Sequence, residues 1–135
     1  MGELLGAQIL DSNRFKEIDL IIPVPLHPQK FKKRGYNQSE KLAQGVAKVL
    51  NLPLDISTLT RSTDNSTQTK KGLFNRWTNV QHVFSIMHPE RLQGKHILLV
   101  DDVITSGATI EACAKQILQI QGSSISIISL AFAND

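Results

Sequence analysis

The sequence is poor in cysteine and aromatic residues, and it has no long apolar run. One cysteine among 135 residues, Cys113, excludes an intrachain disulfide and a zinc site built from cysteines. The four histidines share no metal-ligand spacing. No stretch approaches the roughly 18 apolar residues that a membrane-spanning helix needs, and residues 1–6 lack the basic and apolar segments of a signal peptide. We therefore expect a cytoplasmic protein without a membrane span.

The composition is that of an ordinary globular protein. Hydrophobic residues make up 41% of the chain and charged residues 20%, a balance that supports one apolar core. A chain of 135 residues has the length of one domain, so we expect a single domain over residues 1–135. The net charge of +3 fits an anionic partner without requiring one.

The last third of the chain predicts a strand, a helix and a second strand. Apolar runs at 96–101 and 124–132 flank a segment, 107–121, in which apolar residues recur at helical spacing. Nearly continuous apolar strands on either side of a helix are typical of a βαβ unit in a parallel sheet. The other predicted elements are helices at 3–12, 38–50 and 71–79 and strands at 18–24, 55–60 and 82–86. Asn37 or Ser39 can cap the helix at 38–50.

The segment from Ile97 to Thr109 carries side chains suited to a sugar phosphate. We expect a buried strand to end at two carboxylates, Asp101 and Asp102, and ligands of parallel sheets bind at this edge. The loop that follows opens a helix, and Gly107 allows a phosphate to approach its backbone closely. Hydroxyl donors are added by Thr105, Ser106 and Thr109. Because the two acids can bind a diol or a metal-bound diphosphate, the segment fits a ribose 5-phosphate.

Other interpretations of this segment fit less well. It lacks the GxxxxGK[ST] pattern of a P-loop and the GxGxxG pattern of a dinucleotide-binding turn. It is similar to the start of a response-regulator receiver domain, but such a domain needs its phospho-acceptor further downstream than the remaining chain allows. The plain alternative is a solvated pair of acids that caps the helix.

Residues 97–109 resemble the PRPP-binding signature of type I phosphoribosyltransferases, where PRPP is 5-phosphoribosyl 1-diphosphate. Four apolar residues, an acidic pair, two apolar residues and Thr-Ser-Gly-Ala-Thr follow one another, and all thirteen positions fit. Further motifs resemble those of the ComF/GntX-like family: Pro-Val-Pro-Leu-His at 23–27, Arg-Gly-Tyr-Asn-Gln at 34–38, and the spaced residues Gln68, Leu73, Arg76, Asn79 and Phe84. The resemblance spans about residues 20–133.

The resemblance implies an α/β fold, with a phosphoribosyltransferase-like twisted, mostly parallel sheet and helices on both faces. The catalytic pair would be Asp101 and Asp102, which would meet the ribose hydroxyls or, indirectly, the Mg²⁺ that accompanies PRPP. The 5-phosphate would be held by Thr105, Ser106, Gly107, Ala108 and Thr109, and Val103 and Ile104 would also bind the substrate. The loop after the first strand, with Pro25, Leu26 and His27, would bind the diphosphate.

The resemblance also bears on partners and on chain length. The ComF-like family is linked with natural competence, so nucleic acid and the DNA-uptake machinery are candidate partners. Longer family members begin with a four-cysteine zinc ribbon, which this sequence lacks. We therefore expect a short form or a fragment.

Basic residues concentrate in two polar segments. The first holds Lys30, Lys32, Lys33 and Arg34. It contacts PRPP or nucleic acid, or it is a solvated loop. The second spans residues 61–80 and includes Arg61, Lys70, Lys71 and Arg76. Its length and polarity predict either a lid that brings Arg76 to the diphosphate or a plain surface loop.

Three functions stay open at this point. The first is an enzyme that transfers phosphoribose from PRPP to a nitrogenous acceptor. The second is a non-catalytic module that binds PRPP or a nucleotide and serves as a regulator or adaptor in DNA uptake. It is favoured by the little chain available to build a hood over an acceptor base. The third is a DNA-binding protein that uses its basic loop, with binding that weakens steeply as salt rises.

Overall fold

The computed structural model describes residues 2–12, 17–26, 32–33, 35–62 and 83–133, which form strands and helices. In chain order the elements are α1 (Gly2–Ser12), β1 (Leu20–Pro23), α2 (Gln38–Leu50), β2 (Leu59–Arg61), β3 (Phe84–Ile86), a 3-10 turn (Pro89–Arg91), β4 (His96–Ile104), α3 (Ala108–Leu118) and β5 (Ser124–Phe132). Within these ranges, no helix combines the length and hydropathy that crossing a bilayer requires.

Three parallel strands form the main sheet, in the order β1-β4-β5. Ile22 of β1 lies beside Leu99 of β4, and Leu99 lies beside Ile127 of β5. The central position of β4 agrees with its continuous apolar run, because a central strand is covered on both faces. Helix α3 connects β4 to β5, so the predicted βαβ unit is confirmed.

Helices cover both faces of this sheet and bury a separate core under each. On one face the core includes Ile97, Leu99, Ile110, Cys113 and Ile117, which join β4 to α3. On the other face it includes Ile9, Leu42, Val46, Leu98 and Val100, which join β4 to α1 and α2. The side chains of β4 alternate between the two cores because successive residues of a strand point to opposite faces. The predicted α/β fold with helices on both faces is confirmed.

Helix α2 has the bounds that its sequence predicted. Asn37 is its cap, since the Asn37 side chain accepts a hydrogen bond from the Ser39 N–H at 3.1 Å. Asn51 ends the helix in the left-handed conformation, with φ 56°, which asparagine tolerates better than most side chains. Helix α1 packs closely on α2 at Gly45. A side chain there would clash, because its Cβ would lie 2.6 Å from the backbone of Gly2.

Two short strands, β2 and β3, pair in an antiparallel arrangement outside the main sheet. The strand predicted at 55–60 is partly wrong, because residues 55–58 form a turn in which Asp55 accepts hydrogen bonds from the N–H groups of Ser57 and Thr58, each at 2.9 Å. The strand predicted at 82–86 is present as β3. The helix predicted at 71–79 lies outside the described residues.

Strand β4 is longer than its sequence predicted, and it contains the acidic pair. Its apolar run ends at Val100, yet pairing with β5 continues to Ile104, which lies beside Phe132. Pairing with β1 ends earlier, where Pro23 lies beside Val100. Asp101 and Asp102 therefore lie on β4 beyond the end of β1. On that side of β4, residues outside the sheet can contact the acidic pair.

Candidate functional site

A tight turn joins β4 to α3 and ends at a glycine. Gly107, the N-cap of α3, has φ 83°, and a Cβ on it would meet no atom within 4 Å. Its backbone conformation, not lack of space, therefore favours glycine. Glu111 N–H donates to Gly107 O at 2.9 Å, and Ala108 N–H donates to Ser106 Oγ at 3.3 Å. Amides at a helix start lack helical acceptors, so the beginning of α3 suits an anion.

An open depression surrounds this turn. Its lining consists of Asp101, Val103, Ile104, Thr105, Ser106, Gly107, Ala108, Thr109 and Ile110. Thr105 and Ser106 are exposed and Thr109 is half-buried. The structure thus brings Asp101 together with every residue predicted to hold the 5-phosphate. The depression therefore combines one carboxyl group with hydroxyl groups and backbone amides.

Asp101 is a buried carboxylate at the edge of the depression, with 8% of its surface exposed. Its Oδ1 accepts hydrogen bonds from Ser39 Oγ at 3.1 Å and from Asp102 N–H at 2.9 Å. The pKa of this carboxyl is raised to about 6, chiefly by burial and also by the neighbouring Asp102 carboxylate, while the Ser39 hydrogen bond opposes the rise. Asp101 thus changes charge closer to neutral pH than an ordinary aspartate.

Asp102 occupies a more open position than Asp101. It is half-buried, and its Oδ1 accepts a hydrogen bond from Val103 N–H at 2.9 Å. Its carbonyl oxygen accepts one from Ser129 Oγ of β5 at 3.2 Å. Asp102 is not among the residues that line the depression, so the two predicted acids occupy different positions.

The beginning of α2 contributes Asn37, which the sequence predicts as a cap within the motif at 34–38, and Ser39, which the sequence predicts only as a cap. Asn37 Nδ2 donates to Val24 O at 3.2 Å, which ties α2 to the end of β1. Ser39 Oγ donates to Asp101 and lies 3.3 Å from Asp102 N. No local signal in the sequence assigns Ser39 to the site, because its partner Asp101 is 62 positions away along the chain.

The predicted diphosphate loop begins at the same edge of the sheet. Val24 N–H donates to Val100 O at 2.8 Å, and the half-buried Pro25 and Leu26 follow. Because β1 and β4 are parallel, the carboxyl ends of both strands meet at this edge. The other site residues predicted from the sequence, His27, Arg34 and Arg76, lie outside the described residues.

Cys113 lies behind the acidic pair, in the core between α3 and the sheet. It is fully buried, and burial raises the pKa of its thiol to about 12, helped by the negative charge of Asp101 and opposed by Arg61. A thiol with this pKa stays protonated at neutral pH and is a poor nucleophile. The predicted role as a small core residue agrees with this position.

The acidic pair offers oxygen donors for a hard cation. Among the described residues, no group of three or more His, Cys, Asp or Glu side chains is placed to hold a metal ion. Mg²⁺ is usually bound by one or two carboxylates together with phosphates of the ligand. Asp101 and Asp102 fit that role for a cation that arrives with a diphosphate.

Comparison with known sequences gives a consistent result. The family model described as phosphoribosyl transferase domain matches residues 37–135. The DNA utilization protein YhgH of Escherichia coli O157:H7 is 30% identical over 130 residues, which cover 94% of this chain and 56% of that protein. Competence protein F of Haemophilus influenzae is 30% identical over 139 residues, which cover 98% of this chain and 60% of that protein. The chain therefore spans little more than half the length of these relatives.

Comparison with solved structures supports the fold. Adenine phosphoribosyltransferase from Saccharomyces cerevisiae superimposes with a TM-score of 0.61, covering 98% of this chain and 66% of that one. The two sequences are 11% identical, so the likeness concerns the fold alone.

Proposed function

Because the chain belongs to the phosphoribosyl transferase domain family and is one of its ComF-like members, we propose that it binds PRPP or ribose 5-phosphate between Asp101 and Thr109. The depression around the β4–α3 turn is the observation that carries this proposal. It combines a buried acid, a glycine with φ 83° and the start of an 11-residue helix.

The 5-phosphate fits the turn between β4 and α3. A phosphate there meets the backbone amides at the start of α3 and the positive end of the helix dipole. The hydroxyls of Thr105, Ser106 and Thr109 add side-chain donors. A Cβ at position 107 would stand in this space, which no atom of the protein occupies within 4 Å.

The ribose and the diphosphate fit the carboxylates beside the turn. An ionised carboxylate is a hydrogen-bond acceptor, and the 2- and 3-hydroxyls of a ribose are donors. Asp101 and Asp102 would also hold Mg²⁺, which offsets the charge of the diphosphate when bound. Pro25 and Leu26 would place the following loop against the diphosphate.

We extend the proposal to transfer of phosphoribose to a nitrogenous acceptor. In that reaction the bond from C1 to the diphosphate oxygen breaks, a bond from C1 to the acceptor nitrogen forms, and the nitrogen loses a proton. This chain would hold the ribose and its phosphate in one orientation, so its contribution is positioning and electrostatic stabilisation. It needs no covalent nucleophile, in agreement with the burial of Cys113.

Titration calorimetry with PRPP, with and without Mg²⁺, tests the binding proposal. We expect saturable binding that strengthens with Mg²⁺. We expect Asp102→Asn to weaken the Mg²⁺-dependent binding about tenfold, the effect of losing one charge-assisted contact. Glu90→Gln is the matched control, because it removes an exposed carboxylate from the turn before β4. A parent protein that binds neither PRPP nor ribose 5-phosphate would contradict the proposal.

Diphosphate release separates transfer from binding alone. With PRPP and Mg²⁺ bound, each of a panel of purine and pyrimidine bases is added and free diphosphate is measured. Release that depends on one class of base supports transfer. Saturable binding without release for any base leaves a non-catalytic ligand-binding module.

The relatives named for DNA utilization and competence favour a role of this chain in DNA uptake, and we propose that the protein itself is cytoplasmic. Exposed Lys32, Lys33 and Lys41 are candidates for phosphate contacts. Fluorescence anisotropy with single-stranded DNA at about 50 and 200 mM salt measures this contribution. Binding that weakens steeply with salt and survives Asp101→Asn would place DNA outside the sugar-phosphate depression.

A further inference from the structure

The hydroxyl of Ser39 contacts the Asp101 carboxylate and the backbone N–H of Asp102. Ser39 Oγ donates to Asp101 Oδ1 at 3.1 Å, and Asp102 N–H donates to Ser39 Oγ at 3.3 Å. Ser39 is 4% exposed and Asp101 is 8% exposed, so both hydrogen bonds lie away from bulk water. A hydrogen bond to a charged group in such a place is stronger than one at the surface.

Capping of α2 does not require this hydroxyl. Asn37 already accepts the hydrogen bond from Ser39 N–H, which satisfies one of the amides at the helix start. The Asn37 amide group also donates to Val24 O and so fixes the start of α2 against the end of β1. Ser39 is thus held at a defined height above β4 by groups other than its own side chain.

Two donors on one oxygen fix the orientation of the Asp101 carboxylate. Ser39 Oγ and Asp102 N–H both meet Oδ1, and they come from different elements, α2 and β4. Rotation of the carboxylate would break both hydrogen bonds at once. The orientation is therefore set by two rigid elements, which is the support that a precise binding group needs.

We propose that Ser39 is a positioning residue, which holds Asp101 so that its Oδ2 accepts a hydrogen bond from the 2-hydroxyl of the ribose. The inference rests on the proposed binding of a ribose phosphate and adds to it the residue that gives the site its preference for a ribose over a deoxyribose. A site that is built to bond a hydroxyl discriminates strongly against a ligand without it. Without the Ser39 hydroxyl the carboxylate turns more freely, and this discrimination falls.

The test compares the Kd of ribose 5-phosphate with that of 2-deoxyribose 5-phosphate by calorimetry. We expect the parent protein to prefer the ribose form about tenfold or more and Ser39→Ala to lose most of this preference. Binding of the deoxy ligand should stay unchanged in the variant, because the phosphate contacts are intact. Ser39→Thr keeps a hydroxyl and should restore the preference.

Two further variants keep the result interpretable. Ser39→Cys has nearly the volume of serine with a weak donor, so it should lose the preference even if Ser39→Ala fails to fold. Ser129→Ala is the matched control, because Ser129 Oγ donates to the backbone oxygen of Asp102 and not to a carboxylate. It should keep the preference of the parent protein.

The outcomes separate this inference from the proposed function. A parent protein that binds neither sugar phosphate contradicts the proposed function and the inference together. If the parent binds ribose 5-phosphate, two results contradict the inference alone: an unchanged preference in Ser39→Ala and Ser39→Cys, or an equal loss of affinity for both sugars. Equal losses would mean that Ser39 acts only on the fold of the site.

Discussion

Asp55 and Asp101 have the same exposed fraction, but their pKa values are shifted in opposite directions. Each is 8% exposed. The pKa of Asp55 lies below its usual value, whereas that of Asp101 is raised to about 6. Burial raises the pKa of both carboxyl groups, and at Asp55 the hydrogen bonds from its neighbours outweigh that effect.

Asp55 is surrounded by donors. It accepts hydrogen bonds from the N–H and hydroxyl groups of both Ser57 and Thr58, and Arg91 Nη1 lies 3.7 Å from its Oδ2. Burial still pushes its pKa upward, and the hydrogen bonds from Thr58 and Ser57 outweigh that effect. All the hydrogen bonds that this carboxylate accepts within the described residues lie in the turn before β2.

Asp101 has fewer donors and a second acid beside it. The hydrogen bonds from Ser39 Oγ and Asp102 N–H do not compensate for burial and for the Asp102 carboxylate. The Asp55 region thus lowers the energy of the folded chain. The Asp101 region costs stability and keeps a binding group in place, a compromise that is common at functional sites.

A buried carboxylate without any hydrogen-bond donors should lower the free energy of unfolding more than any change to the two acids compared above. Leu99 lies at the centre of β4, and its side chain is fully buried in the core between the sheet and α3. Leu99→Asp should lower the free energy of unfolding by more than about 4 kcal/mol, because it buries an unpaired charge and loses apolar contact. Urea denaturation measures the change. A soluble variant with an unchanged midpoint would contradict the central position of β4.

Removal of Asp55 should destabilise the fold substantially. Asp55→Ala leaves the buried N–H of Thr58 without its acceptor and should cost about 2–4 kcal/mol at pH 7. The folded pKa is below the unfolded one, so the ionic part of this stabilisation is present above pH 4 and is lost as pH falls through the folded pKa. The difference between parent and variant should therefore narrow in acid. An equal difference at all pH values would contradict this account.

Neutralisation of Asp101 should act in the opposite direction. Its folded pKa is raised, so the folded state binds more protons, and the carboxyl costs stability as pH rises from about 4 to 6. Asp101→Asn should stabilise the fold by about 1–3 kcal/mol above pH 6, with little effect below pH 4. Ribose 5-phosphate binding should weaken in the same variant. Loss of stability at pH 8 would show that Asp101 resembles Asp55 after all.

The sequence predicted those helices and strands in which apolar residues recur at a regular spacing. The bounds of α2 and β5 agree with the prediction, because apolar spacing within a helix or strand is a local signal. The glycine and hydroxyls after β4 likewise predicted the lining of the depression, since one short segment supplies nearly all of it.

Contacts between distant residues could not be predicted in this way. Ser39 and Asp101 are 62 positions apart, and no pattern within either segment indicates that they meet. The turn at Asp55 replaced part of a predicted strand because its side chain competes with strand pairing for the local amides. The predictions for His27, Arg34, Arg76 and a lid at 61–80 stay predictions, since 27–31, 34 and 63–82 lie outside the described residues.

The smallest change in stability, and the sharpest test of the Asp101 region, comes from a single methyl group. Gly107 and Gly94 have similar backbones, with φ 83° and 70°, and a Cβ on either would meet no atom within 4 Å. Alanine at each position should therefore cost about 1 kcal/mol through the left-handed conformation alone.

Gly94 precedes β4 at the opposite end of the sheet, whereas Gly107 lines the depression. Gly107→Ala should weaken ribose 5-phosphate binding at least about tenfold by intruding on the phosphate, and Gly94→Ala should leave it unchanged. Equal affinities of the two variants for ribose 5-phosphate would show that the phosphate does not bind at the turn between β4 and α3.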